Sequence, residues 1–489
     1  MQKQLKLLSW GVLIAIGLVV TLSALATQTM GVAIATAIGT VTVWVLWNAS
    51  LKALLGVRGR VVKHLGMPVS QATFLAKSIP NNRVGDVRRA LEVLLKDNET
   101  SKAQRLGIDA QFGSTSLERI LSSNREIQPF VWERIESRDG HFELLPANSL
   151  YLLHHDHHRF AACLGANYDH FSESTSSFAR LEVLAESLEA ANQIIDYLLR
   201  VASEQSIYRG KMLHISRGHT ANEPVSIRIS DRPQITKERI ILPDDLLQIL
   251  ERTLSSRLKF HRLLLHHGHS SKTGVLLHGE PGTGKTLVIK HLIGLCPNHT
   301  TIVPTGMEAE TIRDAFRLAT YLQPAIIVLE DVDLLAERRE TNANVTGLQE
   351  LMNELDGLGP STEAIVLLTT NRPEMLEPAL AARPGRVSQA LKFPLPDPAL
   401  RQRLLALYSG AADTSDVTMA TWVERTHGTS PAFLEELCKR AILVAAERLS
   451  SPATDHAVQL TDRDFDHAIH ELVVCGGTST GKLLGFTAS

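Results

Sequence analysis

The sequence is short of cysteine and has no excess of charge of either sign. Four cysteines are scattered through 489 residues, without the close spacing of a zinc site or a disulfide framework: Cys163, Cys296, Cys438 and Cys475. Lys and Arg number 50 and Asp and Glu 52, so the dominant basic surface of a nucleic-acid-binding protein is missing. With 31 glycines and 20 prolines, near ordinary usage, the chain is neither collagen-like nor of low complexity. These absences favour a protein of several globular domains in a reducing compartment.

A long stretch near the start of the chain also lacks charge. No charged residue occurs between Lys6 and Lys52, and this window holds two apolar segments, Leu7–Ala26 and Met30–Trp47. As a helix each would be about 27–30 Å long, enough to cross the hydrocarbon core of a bilayer. We therefore expect a two-pass hairpin that contacts the membrane through residues 7–47.

Basic residues flank both ends of this apolar window and set its orientation. They are Lys3 and Lys6 before it and Lys52, Arg58, Arg60 and Lys63 after it. By the positive-inside rule both ends are cytoplasmic, which predicts a protein of the cytoplasmic membrane with its C-terminal bulk in the cytoplasm. A cleavable signal peptide is the alternative, because residues 23–26 resemble an A-x-A cleavage site.

A glycine-rich loop follows a short apolar strand in the second half of the chain. Residues 275–277 lead into Gly279-Glu280-Pro281-Gly282-Thr283-Gly284-Lys285-Thr286, and an apolar helical pattern comes next. This is G-x-x-x-x-G-K-T in a strand–loop–helix context, which predicts an ATP site formed by all eight residues. Backbone N–H groups of the loop surround phosphate, Lys285 meets the β and γ oxygens, and Thr286 binds Mg²⁺.

Two further apolar strands end in polar residues suited to ATP hydrolysis. Ala325–Leu329 is followed by Glu330 and Asp331, and the strand that begins at Ala364 leads to Asn371. Carboxylates at such a position, beside a phosphate loop, suit metal ligation and activation of the attacking water. We expect Glu330 and Asp331 to hold Mg²⁺ and act in catalysis, with Asp331 activating the water and Asn371 orienting it.

Two arginines and a helical region complete the pattern. Arg383 and Arg386 lie on a loop after the Asn371 strand and could neutralise γ-phosphate charge on a neighbouring subunit, while Ser430-Pro431 opens a lid helix that a Thr461-capped helix follows. With these pieces residues 236–475 resemble an AAA-type (AAA+) P-loop ATPase module, similar to bacterial membrane-anchored proteins related to the membrane AAA proteases. The resemblance implies a ring, usually a hexamer, with Asn371 as sensor and both arginines as fingers acting in trans.

Three departures from that family bear on mechanism. Glu330 precedes Asp331, whereas the usual order is Asp then Glu, and the segment before Arg383 carries one residue more than the common spacing. The loop after Thr301–Pro304 is short and lacks the aromatic residue with which threading members of the family grip polypeptide. We therefore expect ATP turnover to move the N-terminal parts as units, without processive threading.

The metalloprotease motif H-E-x-x-H of the membrane AAA proteases is missing. His470-Glu471 is followed by Leu-Val-Val, so we expect no metalloprotease activity. A different histidine run lies earlier, where His154, Asp156 and His158 share one face of a predicted strand and could ligate a metal. Solvated histidines on an exposed strand are the simpler interpretation.

The expected fold is α/β, with a P-loop AAA+ module of parallel sheet, flanking helices and all-α lid behind a small α/β domain. We expect a transmembrane hairpin in residues 1–51, a helical or linker region in 52–124, the small domain in 125–235, the large ATPase subdomain in 236–395, the lid in 396–475 and a tail in 476–489.

The expected function is Mg²⁺-dependent ATP hydrolysis that remodels or assembles protein partners at the cytoplasmic membrane face. The client protein is not identified by any pattern, and nucleic acid is not an expected partner. A nucleotide-gated membrane scaffold that binds ATP without significant hydrolysis is the alternative. The inverted carboxylates favour that scaffold, and the intact Lys285, Asn371 and arginine pair oppose it.

Overall fold

The computed structural model describes residues 56–475, with gaps at 98–102, 109–115, 123–126, 137–140, 169–174, 218–224, 271–272, 307, 336–345, 360, 377–386 and 449–457. The predicted transmembrane hairpin, the tail and both predicted arginine fingers, Arg383 and Arg386, lie outside these ranges. Of the helices in the described ranges, none combines the length and apolar composition that a bilayer crossing needs. The chain divides into two compact units, one ending at Gln205 and the other beginning at Ser206.

The first unit is built around an antiparallel sheet. Its helices are α1 (Val57–Leu65), α2 (Val84–Asp97), α3 (Leu117–Ser122) and α4 (Leu188–Glu204). Its strands are β1 (Thr73–Pro80), β2 (Gln104–Gly107), β3 (Trp132–Glu136), β4 (Phe142–Pro146), β5 (Ser149–His155), β6 (His158–Tyr168) and β7 (Thr175–Ala185). The main sheet has the order β1-β7-β6-β5-β2, and β3 pairs with β4 as a separate hairpin.

Alternating burial along the strands places helices on both faces of this sheet. Tyr151 and Leu153 of β5 pack with α2 and α4, whereas Leu150 and Leu152 pack with α1 and α3. Both edge strands, β1 and β2, come from region 52–124, which the sequence analysis expected to be helical or linker. That boundary is corrected because β1 pairs with β7 over its whole length, so residues before 125 belong to the small domain.

The second unit combines a larger sheet with a helical subdomain. Its helices are α5 (Asp244–His266), α6 (Lys285–Gly294), α7 (Ala309–Tyr321), α8 (Thr346–Gly357), α9 (Pro398–Ser409), α10 (Met419–Arg425), α11 (Pro431–Arg448) and α12 (Asp462–Ile469), followed by a π-helical turn, His470–Cys475. Its strands are β8 (Met212–Ser216), β9 (Ser226–Ser230), β10 (Thr273–His278), β11 (Thr300–Pro304), β12 (Ala325–Leu329), β13 (Ala364–Thr370), β14 (Gln389–Lys392), β15 (Asp413–Asp416) and β16 (Gln459–Thr461).

The order of the larger sheet is β14-β10-β13-β12-β11-β8-β9, parallel except for β9. Strands β8 and β9 lie in the region that the sequence analysis gave to the small domain, 125–235. They belong instead to the ATPase sheet, because β8 pairs in parallel with β11 and buries Leu213 and Ile215 beside Ile302 in one core. The structure therefore divides the chain after Gln205.

The central strands of this sheet are covered on both faces. Every residue of β12 and β13 is buried, as expected of parallel strands between two helical layers. Helices α7 and α8 contribute to the core on one face, and α5 and α6 to the core on the other. Because β10, β12 and β13 run in parallel, their carboxyl ends meet at one edge, where the predicted site residues follow.

The lid, α9 to α12 with the short β15–β16 pair, has a core of its own. Trp422 and Phe465 are buried at its centre with ring centroids 4.9 Å apart. The predicted helix starts are confirmed. Pro431 begins α11, with the Ser430 hydroxyl accepting from the Phe433 N–H at 3.3 Å, and Thr461 caps α12.

Candidate nucleotide site

The loop between β10 and α6 adopts a conformation that requires its glycines. Gly282 and Gly284 have φ angles of 76° and 95°, in the left-handed region. At Gly279 a Cβ atom would stand 2.3 Å from the Phe393 carbonyl oxygen, so this position has no room for a side chain. The loop turns tightly enough to present backbone N–H groups at the start of α6, as phosphate binding requires.

The Lys285 side chain is held across this loop by hydrogen bonds to backbone carbonyls of the loop. Its Nζ donates to the carbonyl oxygens of Gly279 and Glu280, both at 2.9 Å. The side chain is buried, and this burial is the largest influence on its pKa, which it lowers; the nearby carboxylates of Asp331, Asp333 and Glu280 act in the opposite direction. An anion in the cleft would relieve the cost of burying this charge.

A cleft of about 390 Å³ opens beside the loop. Its walls include five predicted binding residues, Pro281, Gly282, Gly284, Lys285 and Thr286, and two predicted catalytic residues, Asp331 and Asn371. The structure therefore brings the phosphate loop together with the carboxyl ends of β12 and β13. The other three predicted binding residues, Gly279, Glu280 and Thr283, are not among the residues that line the cleft, and Thr283 Oγ1 donates to the Glu280 carbonyl within the loop at 2.8 Å.

Asp331 lines the cleft and has an unusual backbone conformation. Its φ is 51°, uncommon for a residue with a side chain, and its N–H donates to Thr369 Oγ1 at 2.9 Å. Its Oδ1 accepts a 3.1 Å hydrogen bond from Asn371 Nδ2. The sequence-predicted water-activating carboxylate and the water-orienting amide thus contact each other inside the cleft.

Asp333 holds the backbone of Asn371 in place, a role that the sequence analysis missed. It is buried, and its Oδ1 accepts from Thr370 Oγ1 at 2.9 Å and from the Asn371 N–H at 3.2 Å. The segments after β12 and β13 are therefore tied together by one carboxylate. The signal was present in the sequence, because a third carboxylate closely follows Glu330 and Asp331, but its partner residues become evident only from the strand pairing.

Glu330 takes a different position from Asp331. It is half-buried, does not line the cleft, and its Oε1 is buried without a hydrogen-bond partner in the described part of the chain. Its predicted roles as catalytic residue and metal ligand stay predictions, as do those of Arg383 and Arg386.

The lid supplies the remaining wall, which sequence reasoning did not assign. Tyr408 of α9 and Pro431, Ala432 and Glu435 of α11 line the cleft. The Ala432 N–H donates to the Gly282 carbonyl at 3.1 Å, which holds the start of α11 against the loop. Ser430-Pro431 predicted where this helix begins, but only the tertiary packing shows that it faces the nucleotide loop.

The histidine run of the first unit forms no comparable centre. Within the described ranges no group of three or more His, Cys, Asp or Glu side chains is arranged to hold a metal ion. His155 instead stacks on Tyr197 with ring centroids 3.5 Å apart, and His158 pairs with Glu186.

Comparison with known proteins agrees with this geometry. Residues 275–395 match the family described as "ATPase family associated with various cellular activities (AAA)". The chain is similar to a 26S proteasome regulatory subunit 6B homolog of Encephalitozoon cuniculi, 32% identical over 51% of this chain and 66% of that protein. It is also similar to a proteasome-activating nucleotidase of Thermococcus onnurineus, 31% identical over 51% of this chain and 64% of that protein.

A third relative is the ATP-dependent zinc metalloprotease FtsH of Acaryochloris marina, 33% identical over 49% of this chain and 37% of that protein. The chain thus spans just under two thirds of the length of the first two relatives and little more than a third of FtsH. Family match and cleft geometry together show that this chain carries an AAA-type P-loop ATPase domain.

Proposed function

We propose that the protein is a membrane-anchored AAA+ ATPase that hydrolyses ATP to remodel or assemble protein partners at the cytoplasmic membrane face. The observation that carries the enzymatic part is the Asn371–Asp331 hydrogen bond at 3.1 Å, in the same cleft as Lys285 and Thr286. Phosphate-binding and water-activating groups therefore face one volume, as hydrolysis of a bound triphosphate requires.

The residues of the cleft divide the work of hydrolysis between them. Loop N–H groups and Lys285 bind and orient the phosphate chain, and the Lys285 charge offsets the negative charge that develops in the transition state. Asp331 accepts a proton from the attacking water, while Asn371 fixes the direction of that carboxylate. The lid residues Tyr408 and Glu435 line the cleft beside these groups.

The donor set of the cleft also fits Mg²⁺. The Thr286 hydroxyl and the Asp331 carboxylate both line it, and oxygen ligands of this kind are those that Mg²⁺ prefers. Glu330 does not line the cleft, although it directly follows β12 and its buried Oε1 has no hydrogen-bond partner within the described ranges. When bound with ATP, Mg²⁺ would neutralise phosphate charge.

We propose further that the active form is a ring. The dependence of ATP turnover on protein concentration is its first test. The similarity to AAA ATPases supports a hexamer in which Arg383 and Arg386 reach the neighbouring site. The two apolar segments within residues 7–47 support membrane anchoring and the cytoplasmic orientation.

Steady-state ATP hydrolysis by the full chain, measured against protein concentration, tests the enzymatic proposal. Turnover per subunit is expected to rise with concentration and to be lost in Lys285→Ala and Arg386→Ala. The inverted Glu330-Asp331 order favours the alternative, a scaffold that binds ATP without hydrolysing it. Tight ATP binding with no turnover at any concentration would establish that scaffold and overturn the enzyme.

The short connection between β11 and α7 supports action without threading. Helix α7 begins at Ala309, so only residues 305–308 join it to β11, and none of them is aromatic. A purified protein that hydrolyses ATP is therefore expected to leave a tagged globular substrate folded. ATP-dependent unfolding of that substrate, measured as loss of the substrate's fluorescence, would contradict this part of the proposal.

A further inference from the structure

The hairpin of β3 and β4 exposes large apolar side chains on one of its two faces. Trp132, Phe142 and Leu144 are 50%, 56% and 62% exposed. Residues paired across two strands share a face, and the register pairs Arg134 with Leu144 and Trp132 with Pro146. Phe142 lies two residues before Leu144 on the same strand and therefore shares its face. We call Trp132, Arg134, Phe142 and Leu144 the aromatic face.

The opposite face of the hairpin contacts helix α2 of the first unit. Leu145 is buried, Glu143 Oε2 accepts from Arg89 Nε at 3.0 Å, and Glu133 pairs with Arg88. Both arginines belong to α2, so the hairpin is fixed on a helix of the core. Folding of the unit therefore accounts for the inner face and gives no reason for exposing the aromatic face.

Cationic groups hold the aromatic rings in place. The Arg134 guanidinium lies 3.8 Å from the centroid of the Phe142 ring, and that of Arg105 lies 5.2 Å from the Trp132 ring. Arg105 is itself fixed by a 2.6 Å bond to Glu92. Aromatic rings with the exposed Arg134 guanidinium beside them suit the boundary between acyl chains and anionic headgroups, where rings are buried and a guanidinium reaches phosphate.

The connection to the predicted membrane segment keeps the first unit near a bilayer. The second apolar segment ends at Trp47, and α1 begins at Val57. The intervening residues span at most about 30 Å even when fully extended. On so short a connection, the folded unit stays within reach of the lipid headgroups. A lipid surface is therefore favoured over a freely diffusing protein as the partner of the aromatic face.

We propose that the aromatic face docks onto the anionic headgroup and acyl boundary of the membrane. The proposal rests on the proposed membrane anchoring, which places this unit beside a bilayer. Docking would fix the orientation of the first unit on the membrane surface as a second contact besides the transmembrane hairpin.

Depth-dependent fluorescence quenching in the full chain tests this docking. Leu144→Cys carries an environment-sensitive fluorophore, and Leu443→Cys on α11, 56% exposed, carries the same label as matched control. Cys475→Ser is present in both proteins, and Cys163, Cys296 and Cys438 are buried. The proteins are reconstituted in vesicles of phosphatidylglycerol and phosphatidylcholine that contain a nitroxide lipid.

Strong quenching of the label at position 144, with little at 443, is the expected result. An unquenched label at 144 overturns the proposal. This holds whether the emission wavelength shows a water-exposed fluorophore or one in contact with another protein. Resistance to alkaline carbonate extraction reports separately on the anchor. If carbonate releases the chain, anchoring fails, and quenching at 144 on adding the same vesicles from outside still decides the docking.

Discussion

The Asn371 amide donates a 3.1 Å hydrogen bond to the Asp331 carboxylate, joining the segments that follow two neighbouring strands. Asp333 reinforces this junction by accepting from the Asn371 backbone N–H. The carboxylate that lines the cleft is therefore Asp331, the second of the inverted Glu330-Asp331 pair. Asp331 is held by Thr369 and Asn371 and not by the loop that binds phosphate. The geometry supports Asp331 as the water-activating group.

Asp331→Asn is expected to lower kcat for ATP by roughly 10²–10⁴-fold, the usual contribution of general base catalysis. ATP binding should persist, because Lys285 and the loop remain intact. Steady-state hydrolysis and equilibrium binding of a fluorescent ATP analogue measure the two quantities. Glu330→Gln is the matched control, and a larger loss in that variant would reverse the assignment of the two carboxylates.

Asn371→Ala should reduce kcat by roughly 10–100-fold, because a hydrogen bond to a charged group contributes about 1.5–3 kcal/mol. Since Asn371 orients a carboxylate rather than binding the phosphates, the affinity for ATP should change little. Paired measurements of kcat and of ATP affinity check this expectation. An equal loss of both would show that Asn371 binds nucleotide instead.

His299 is expected to make the stability of the second unit sensitive to acid. Burial, with smaller effects from Arg232 and His261, lowers its pKa to about 4 from its ordinary value of 6.5. The unfolded chain therefore binds a proton before the folded chain does, so stability present above pH 6.5 is lost as the pH falls toward 4. The loss should be roughly 1–3 kcal/mol.

His299→Leu should flatten that pH dependence, because it removes both the titrating ring and its two buried nitrogens, which have no hydrogen-bond partner in the described structure. Urea denaturation at neutral and acidic pH, followed by circular dichroism, compares the two proteins. Parallel pH curves for wild type and variant would contradict the assignment.

Arg232 is expected to be a major contributor to stability. Its Nη1 donates to the Ile293 carbonyl at 2.9 Å, and its Nη2 donates to those of His299 and Gly210 at 2.7 and 3.1 Å. Arg232→Ala leaves these acceptors without their donor and should cost roughly 2–4 kcal/mol. Lysine cannot reproduce the planar fork, so Arg232→Lys should restore only part of the loss.

Urea midpoints of the full chain measure these changes, with Arg252→Ala on the exposed side of α5 as control. That control should lie within about 0.5 kcal/mol of wild type. A similar midpoint shift for both alanine variants would show that the Arg232 bonds add no specific stability.

The nucleotide loop could be predicted from the sequence because its chemistry is local. The glycines, Lys285 and Thr286 follow one another directly, and the strand before them is recognisable from a run of apolar residues. The positions of Asp331 and Asn371 could also be inferred, since parallel strands end at a common edge.

The domain boundary could not be predicted in the same way, because it depends on which strands pair. Met212–Ser216 alternates like a strand in either domain, and only its parallel pairing with β11 assigns it to the ATPase sheet. Arg232, which the sequence analysis placed in the small domain, is likewise fixed by carbonyls distant in sequence. The contribution of Glu435 to the cleft depends on the way the lid packs, which no local pattern specifies.

The bond between Ala432 and Gly282 has an evolutionary consequence, because it joins two main-chain atoms. Exchanging the Ala432 side chain leaves its N–H in place, and among the natural amino acids only proline removes that donor. At Gly282, by contrast, a Cβ atom would stand 2.9 Å from the Cβ of Ala432. Substitutions could therefore accumulate at Ala432 and not at Gly282. An analysis of correlated sequence changes would then miss this direct contact between the lid and the nucleotide loop.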